Sequence, residues 1–333
     1  MDKLKKKLTS WEFVMLVILI LEIVIFASKN SKFLMPRVFF GSINDIISIC
    51  IISLFVTFVM ITGGIDIQAG SIVGLSSIVV GVTWQDAGVN IWAAAGLAII
   101  VAACCGALSG YFVAYCDVQP MVVTLGGSFL FSGIALLVSN MSATESYKGI
   151  NGFPESFIKL SKGKLLGVVP YQVLVFVILA VIAYILLHKT KYGRQIFLIG
   201  VNRNAAEYSG INTRLIIMST YVLSAISAAI AGIVLTSYLG TAKSDLGSTL
   251  TLPIITAVVL GGTLSTGGKG SALGTALAAV VIGMLRFGLP LCFKVSQQYL
   301  DIPVGILLLV VVIGRSLAAN PKVTALFHKK TAV

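Results

Sequence analysis

The sequence predicts an all-α protein, a polytopic transmembrane helical bundle of about ten spans with both termini in the cytoplasm. Its composition is far from that of soluble domains, because 57% of the 333 residues are hydrophobic and only 11% are charged. The apolar residues fall into runs near the roughly 20 residues that a helix needs to cross a bilayer. One long basic segment, 188–214, interrupts them. We expect residues 1–333 to form one transmembrane domain with a cytoplasmic loop at 188–214.

The predicted spans follow the apolar runs in chain order. An even number of spans puts both termini on one side, and the basic residues near the ends and in the loop make that side cytoplasmic. The residues after the first run form only a weak cleavage site, so we expect that run to remain as an uncleaved span. The spans are 11–28, 44–62, 67–84, 90–116, 119–140, 169–188, 214–239, 249–265, 270–289 and 299–316.

Charge and cysteine usage exclude several other classes of protein. The net charge of +12 comes from basic residues in loops, without the clustered basic face or aromatic platform that nucleic-acid binding needs. The five cysteines lie in or beside apolar runs and have no metal-ligand spacing, so we interpret them as small packing side chains. Neither histidine has a partner that suggests catalysis. We therefore expect no catalytic residue, no metal and no cofactor on this chain.

The basic loop 188–214 contains the signals of a short helix. Asn204 and Glu207, with Ala205 and Ala206 between them, have the spacing of a capping box. Gly210 can end that helix in a left-handed conformation. A helix of about one turn is not stable alone in water and needs a surface to pack on.

Apolar residues beside this helix suit a groove on another protein. The alternative is an ordinary cytoplasmic loop whose positive charges only set the topology. Composition alone leaves both interpretations open. The apolar neighbours are Phe197, Leu198, Ile199, Tyr208 and Ile211.

Two glycine-rich stretches, 63–71 and 261–271, interrupt the apolar runs. Each ends in the Gly-Ser of a Gly-Ser-x-x-Gly pattern, which indicates a duplicated architecture. Small residues four apart allow close helix packing, as at Gly70/Gly74, Gly106/Gly110 and Gly270/Gly274. Broken helices at membrane depth also indicate a substrate pathway, so packing and pathway both remain open. The candidate pathway residues are Gly63, Gly64, Asp66, Gly70, Ser71, Gly261, Gly262, Gly267 and Gly268.

Asp66 is the most informative single residue, because an acid between Ile65 and Ile67 at a span boundary is costly unless it is paired, capping or hydrated. We favour a role as the N-cap of the third span over direct contact with a substrate. Glu22 and Asp45, at other apolar runs, are interpreted with the same caution.

The second glycine stretch does not form a phosphate-binding loop. Thr263 stands where the first glycine of that loop is required, and Gly270 replaces the Ser or Thr that follows its lysine. Energy for active transport would therefore come from an ion gradient or from a separate ATPase.

Three motifs in this order resemble the permease subunits of bacterial ABC importers for ribose, related sugars and autoinducer-2. They are GGIDIQAGS at 63–71, GRQIFLIGVNRNAAEYSGI at 193–211 and AVVLGGTLSTGGKGSALGT at 257–275. The likeness covers nearly the whole chain. The segments LHKT at 187–190, SYLGTAKSDLG at 237–247 and VVVIGRS at 310–316 look closest to the D-type permeases of autoinducer-2 importers.

The resemblance implies a location in the bacterial inner membrane and a set of partner proteins. These are a sister permease in a heterodimer or homodimer, two cytoplasmic ATPase subunits that bind ATP and Mg, and an extracytoplasmic solute-binding protein. It implies import of a small sugar-like solute, autoinducer-2 first and ribose or a similar sugar next. The implied ATPase-coupling residues are Gly200, Asn202, Asn204, Ala205, Ala206, Glu207, Gly210 and Ile211.

Two other functions are consistent with the composition. A gradient-driven secondary transporter of a small polar solute would need ion or proton sites, and acids inside the apolar runs are few. A scaffold subunit without transport activity would leave the glycine interruptions unexplained.

Overall fold

The computed structural model describes residues 11–165, 167, 169–296 and 299–319, and its long helices coincide with the predicted apolar runs. The lysines before residue 10 and after residue 320, which helped to assign the cytoplasmic side, lie outside the described residues, as do the side chains of Asp45 and Arg315. The helices are α1 Trp11–Lys29, α2 Pro36–Ile61, α3 Ala69–Gln85, α4 Ile91–Ala114, α5 Pro120–Asn140, α6 Glu155–Lys162, α7 Tyr171–Lys189, α8 Lys191–Val201, α9 Arg203–Tyr208, α10 Thr213–Leu239, α11 Thr251–Leu260, α12 Ala272–Phe293 and α13 Asp301–Ala319.

The polytopic helical class is confirmed. Within the described residues, six helices (α1, α4, α5, α7, α10 and α12) are long and apolar enough to cross a membrane. Helix α2 starts at Pro36, eight residues before the predicted start at residue 44. Proline is tolerated at the first helical position, because the backbone N–H that it lacks would have no acceptor within the helix. Helix α11 stops at Leu260 rather than 265, because the second glycine stretch breaks it. Shorter apolar helices cover Ile46–Ile61, Ala69–Gln85, Thr251–Leu260 and Asp301–Val310.

Helix α10 is the centre of the bundle and packs against α2, α3 and α4. Its spanning window is 61% buried, compared with 17% for α1 and α7 at the periphery. Glycines on α4 let the two backbones approach closely, since a Cβ at Gly106 would lie 2.6 Å from the Tyr221 carbonyl oxygen. A Cβ at Gly110 would lie 2.9 Å from Met218 Cα. The close packing predicted from the Gly106/Gly110 spacing is therefore confirmed.

Short strands join the segments that follow α5 and α10. Strand β1 (Ile150–Asn151) pairs antiparallel with β4 (Thr241–Ala242), and Ile150 lies opposite Ala242. A second pair, β2 (Lys164–Leu165) and β3 (Val169–Pro170), follows α6. The β1–β4 pair holds the carboxyl ends of α5 and α10 on the same side of the bundle.

Candidate functional site at the helix breaks

Both glycine stretches interrupt helices in the structure. The first separates α2 from α3, and the second separates α11 from α12. Gly63 and Gly267 both have a φ of +86°, in the left-handed region where a side chain would clash with the backbone. Gly63 therefore permits the turn that ends α2. Gly267 permits the turn that brings the second glycine stretch back toward the end of α2.

The two breaks meet each other and the end of α8 at one point. The Gly268 amide donates a hydrogen bond to the Ile61 carbonyl oxygen at 2.9 Å. Gly200, near the end of α8, lies against both groups, and a Cβ there would overlap the Ile61 oxygen and the Gly268 nitrogen. A Cβ on Gly267 would lie 2.9 Å from the Gly63 nitrogen and 3.1 Å from the Gly200 oxygen.

We call this contact the glycine junction and define it as Ile61–Gly63, Gly200 and Gly267–Gly268. No side chains separate its three backbone segments. Backbone atoms in contact cannot yield as flexible side chains do, so the three segments are closely fitted at this point. The junction therefore brings the predicted coupling segment into direct contact with both helix interruptions.

Asp66 fixes the first break to the central helix. Its side chain is buried, and Oδ1 accepts a hydrogen bond from the Gln68 amide at 3.1 Å. Oδ2 accepts from the Ser224 hydroxyl of α10 at 2.6 Å. The predicted role as the N-cap of the third span is wrong, because Gln68 is the N-cap residue of α3. Asp66 lies two residues before it and instead accepts the hydrogen bond of the Gln68 amide. The bond to Ser224 is a second role that the sequence does not indicate.

Other predicted pathway residues lie in close helix contacts. A Cβ on Gly70 would be 2.5 Å from the Gly247 oxygen, and one on Gly261 would be 2.5 Å from Thr275 Cα. Gly262 lies against Trp11, whose indole nitrogen donates to the Leu260 carbonyl oxygen at 2.7 Å. These three glycines are therefore closely packed against neighbouring segments.

Ser71 has a different environment, in a partly exposed hydroxyl cluster on α3 and α5. Its Oγ lies 3.1 Å from Ser128 Oγ and accepts from Ser132 at 3.0 Å. The three hydroxyls satisfy one another on an otherwise apolar helix surface.

The predicted coupling segment lies on two helices, α8 and α9, which meet at Asn202. The Asn202 side chain accepts from the Ala205 amide at 3.0 Å and caps α9. The predicted capping box of Asn204 and Glu207 is therefore wrong, because the chain leaves the helical conformation two residues earlier, where α8 ends. The predicted end of the helix is confirmed, since Gly210 follows α9 with a φ of +80°.

One face of this segment packs on the bundle and the other is exposed. Ile199 and Ala206 are buried, so the expectation that Ile199 faces a partner is wrong. Its spacing of three from the buried Ile196 is the helical signal that could have identified it as a core residue. Exposed apolar side chains remain at Leu198, Val201 and Tyr208, and the exposed fraction of Tyr208 is 94%.

The predicted coupling residues are divided between these two faces. Gly200 belongs to the glycine junction, and Ile211 is partly buried. The predicted coupling residues that are exposed are Asn202, Asn204, Ala205, Glu207 and Gly210. Val201 is also exposed, although it was not among the predicted coupling residues.

An ion pair joins α9 to the turn between α4 and α5. Arg203 Nη1 lies 2.7 Å from Asp117 Oδ1, and Arg203 Nη2 donates to the Ala114 carbonyl oxygen at 3.2 Å. This contact is not predictable from the sequence, since 86 residues separate the two charges. It is a second contact between the predicted coupling segment and the helix bundle.

Metal binding is not indicated in the part of the chain that the structure describes. No group of three or more His, Cys, Asp or Glu residues there is placed to hold an ion. The five cysteines are unpaired thiols.

Residues 38–312 match the family model described as the branched-chain amino acid transport system / permease component, and the chain belongs to this family of transport permeases. It is 42% identical to a protein of Yersinia enterocolitica named autoinducer 2 import system permease protein LsrD, over 93% of each chain. Proteins with the same name from Photorhabdus temperata and Yersinia pseudotuberculosis are 42% and 40% identical, over 93% of this chain and 92% of theirs. No solved structure matches.

Membership in this family confirms the class predicted from the three motifs. The chain is a transporter subunit and not an enzyme. Its predicted location as a multi-pass protein of the bacterial inner membrane is confirmed by the family and by the six spanning helices.

Proposed function

We propose that this chain is the membrane-spanning permease subunit of an ATP-driven importer for a small sugar-like solute. Autoinducer-2 is the first candidate, supported by the names of the relatives, and ribose or a similar sugar is the next. A separate subunit binds ATP and Mg and docks on the segment 200–211. The observation that carries this proposal is the glycine junction, through which α8 touches both helix breaks by backbone contact.

The proposed topology has ten crossings in one domain of residues 1–333, with both termini in the cytoplasm. The ten are α1 to α5, α7 and α10 to α13. Alternating crossings would put residues 61, 200 and 268 on the cytoplasmic side, and these three meet at the glycine junction. The same alternation would put β1 and β4 together outside, where they pair.

The exposed face of the coupling segment supports ATPase docking. It presents Leu198, Val201 and Tyr208 among polar and basic residues, whereas its opposite face is anchored in the bundle. Exposed aromatic side chains beside a charged rim are typical of the residues that dominate protein interfaces. ATP-driven closure of two docked subunits would move α8 and α9, and the junction would pass that movement to the breaks.

We expect Tyr208→Ala and Glu207→Ala to weaken ATPase association without changing membrane insertion. Loss of one interface residue of this kind reduces binding roughly tenfold or more. The measurement is the amount of ATPase that co-purifies with the tagged permease, together with solute uptake. Tyr147→Ala is the matched control, because Tyr147 is also exposed but lies in the outer segment. Undiminished ATPase binding and uptake in both coupling variants would contradict the docking site.

The remaining partners are identified by purification from cells that express the neighbouring genes. An ATPase together with a second permease establishes a heterodimeric core, and an ATPase with this chain alone establishes a homodimer. A solute-binding protein is expected on the outer side, at α6 and the strand pairs.

The alternative function is a gradient-driven secondary transporter of a small polar solute. If no ATPase co-purifies, under conditions that keep a control importer intact, the observation favours this alternative. Against it, both carboxylate oxygens of Asp66 already accept hydrogen bonds from the protein.

A further inference from the structure

His188, at the carboxyl end of α7, is bonded to the start of α12. Its Nε2 atom accepts a hydrogen bond from the Ala272 amide at 3.3 Å. The Gly274 amide, two residues further on, is satisfied by the Ser271 side chain. The first amides of a helix have no acceptor inside it, so His188 supplies one from outside. Because Ala272 directly follows the second glycine stretch, this bond holds the second break to the end of α7.

The imidazole ring also lies between α7 and α8. Its centroid is 5.1 Å from that of Tyr184 on α7 and 6.1 Å from that of Phe197 on α8. A Cβ on Gly193 would overlap the Leu187 carbonyl oxygen, so α8 is closely fitted to the end of α7. His188 therefore lies where α7, α8 and the second break meet.

Only the neutral form of His188 can accept the bond from Ala272. Neutral imidazole has one acceptor nitrogen, whereas imidazolium has two N–H donors and no acceptor. A proton on Nε2 would point at the Ala272 N–H, and its charge would lie at the amino end of α12, where the helix dipole is also positive. Histidine usually titrates near pH 6.5, and His188 is partly exposed, so protons from the surrounding water reach it.

Two charged side chains act on the ring from the elements around it. Glu12 of α1 attracts an imidazolium and Lys189 of α7 repels it, and the effect of Glu12 is the larger. A protonated His188 is therefore repelled by the Ala272 amide and attracted toward Glu12. The charged residues of α8 and of the second glycine stretch are exposed to solvent, and they are Lys191, Arg194 and Lys269.

We propose that His188 is a proton-binding switch that slows transport when the cytoplasm becomes acidic. Neutral His188 holds the second break to the end of α7. A proton from the cytoplasm binds Nε2, the bond from the Ala272 amide breaks, and the ring turns toward Glu12. The start of α12 is then no longer held to α7. This inference rests on the proposed import function.

His188→Gln tests the switch, because glutamine can place an amide oxygen near the position of Nε2, and that oxygen accepts from the Ala272 amide at either pH. The purified permease–ATPase complex is reconstituted in liposomes that contain ATP at an internal pH of about 5.5 or about 7.5. The solute-binding protein and labelled ribose or autoinducer-2 are outside, at constant pH. Uptake is measured for the wild type and for the variant.

The expected effect follows from the fraction of neutral imidazole. One pH unit below the usual histidine midpoint, only about one-tenth of the imidazole remains neutral. We expect the ratio of uptake at the acidic internal pH to uptake at the neutral one to be about tenfold lower in the wild type than in His188→Gln. The ATPase is the same in both complexes, so its own pH dependence cancels in this comparison.

Glu12→Gln and a stability measurement support the same test. Glu12→Gln removes the attraction for the imidazolium, so the internal pH of half-maximal uptake moves down. The melting temperature of the purified permease in detergent needs no transport. It falls from about pH 7.5 to about pH 5.5 in the wild type and falls less in His188→Gln, since protonation breaks the bond to Ala272 only where histidine is present.

Equal uptake ratios for the wild type and His188→Gln would overturn the switch, as would equal changes in melting temperature. If His188→Gln does not assemble, an unchanged pH of half-maximal uptake in Glu12→Gln overturns it instead. A wild-type complex without ATP-dependent uptake at either pH would overturn the import function, and the melting temperatures would still decide the switch.

Discussion

Gly200→Ala is expected to reduce solute uptake strongly while the ATPase remains bound. The added methyl group would overlap the Ile61 carbonyl oxygen and the Gly268 amide, which are bonded to each other. Both are backbone atoms, so the methyl group is accommodated only if a helix break shifts. Such overpacking lowers the free energy of unfolding by about 1–3 kcal/mol. We expect uptake per permease to fall at least about tenfold, measured with labelled solute in cells and normalised by immunoblot.

The ATPase is expected to stay bound because Gly200 lies on the inner side of the coupling segment. Gly200→Ala should therefore separate ATP hydrolysis from transport, whereas Tyr208→Ala should reduce both. Gly96→Ala is the matched control, since a Cβ on Gly96 in α4 would meet no atom within 4 Å. Normal uptake by Gly200→Ala at normal protein levels would show that the junction does not transmit movement.

The helices were predictable from the sequence because their signal is local. A run of apolar residues of bilayer length can be identified without knowing which helices pack against it. Each predicted run overlaps one apolar helix. The main error at a boundary came from competing local signals. Asn202 and Asn204 are both good N-caps, and the choice between them depends on where α8 ends.

The glycine junction was not predictable, although all three of its segments stood out in the sequence. Each segment is separated from the next by more than 60 residues. Glycine spacing indicates that another backbone approaches closely, but it does not show which segment that backbone belongs to. The same limit applies to Asp66. Its partner Ser224 lies on a helix that also carries Ser219 and Ser227, and no feature of the sequence distinguishes among them.

Asp66→Ala is expected to destabilise the protein and abolish uptake. It leaves the Gln68 amide and the Ser224 hydroxyl without their acceptor in a buried site. Each buried group left unpaired costs about 1–3 kcal/mol. The expected result is a lower melting temperature in detergent and less permease in the membrane.

Asp66→Asn separates the hydrogen bonds from the charge. The amide oxygen of asparagine can accept from Gln68, and its NH₂ group can donate to the Ser224 hydroxyl, which both donates and accepts. If Asp66 serves the helix break alone, Asp66→Asn keeps most of the stability and most of the uptake. Folded Asp66→Asn protein without uptake would mean that the negative charge itself is needed. That result would favour an ion-coupled transporter or direct contact with solute over the structural role proposed for this carboxylate.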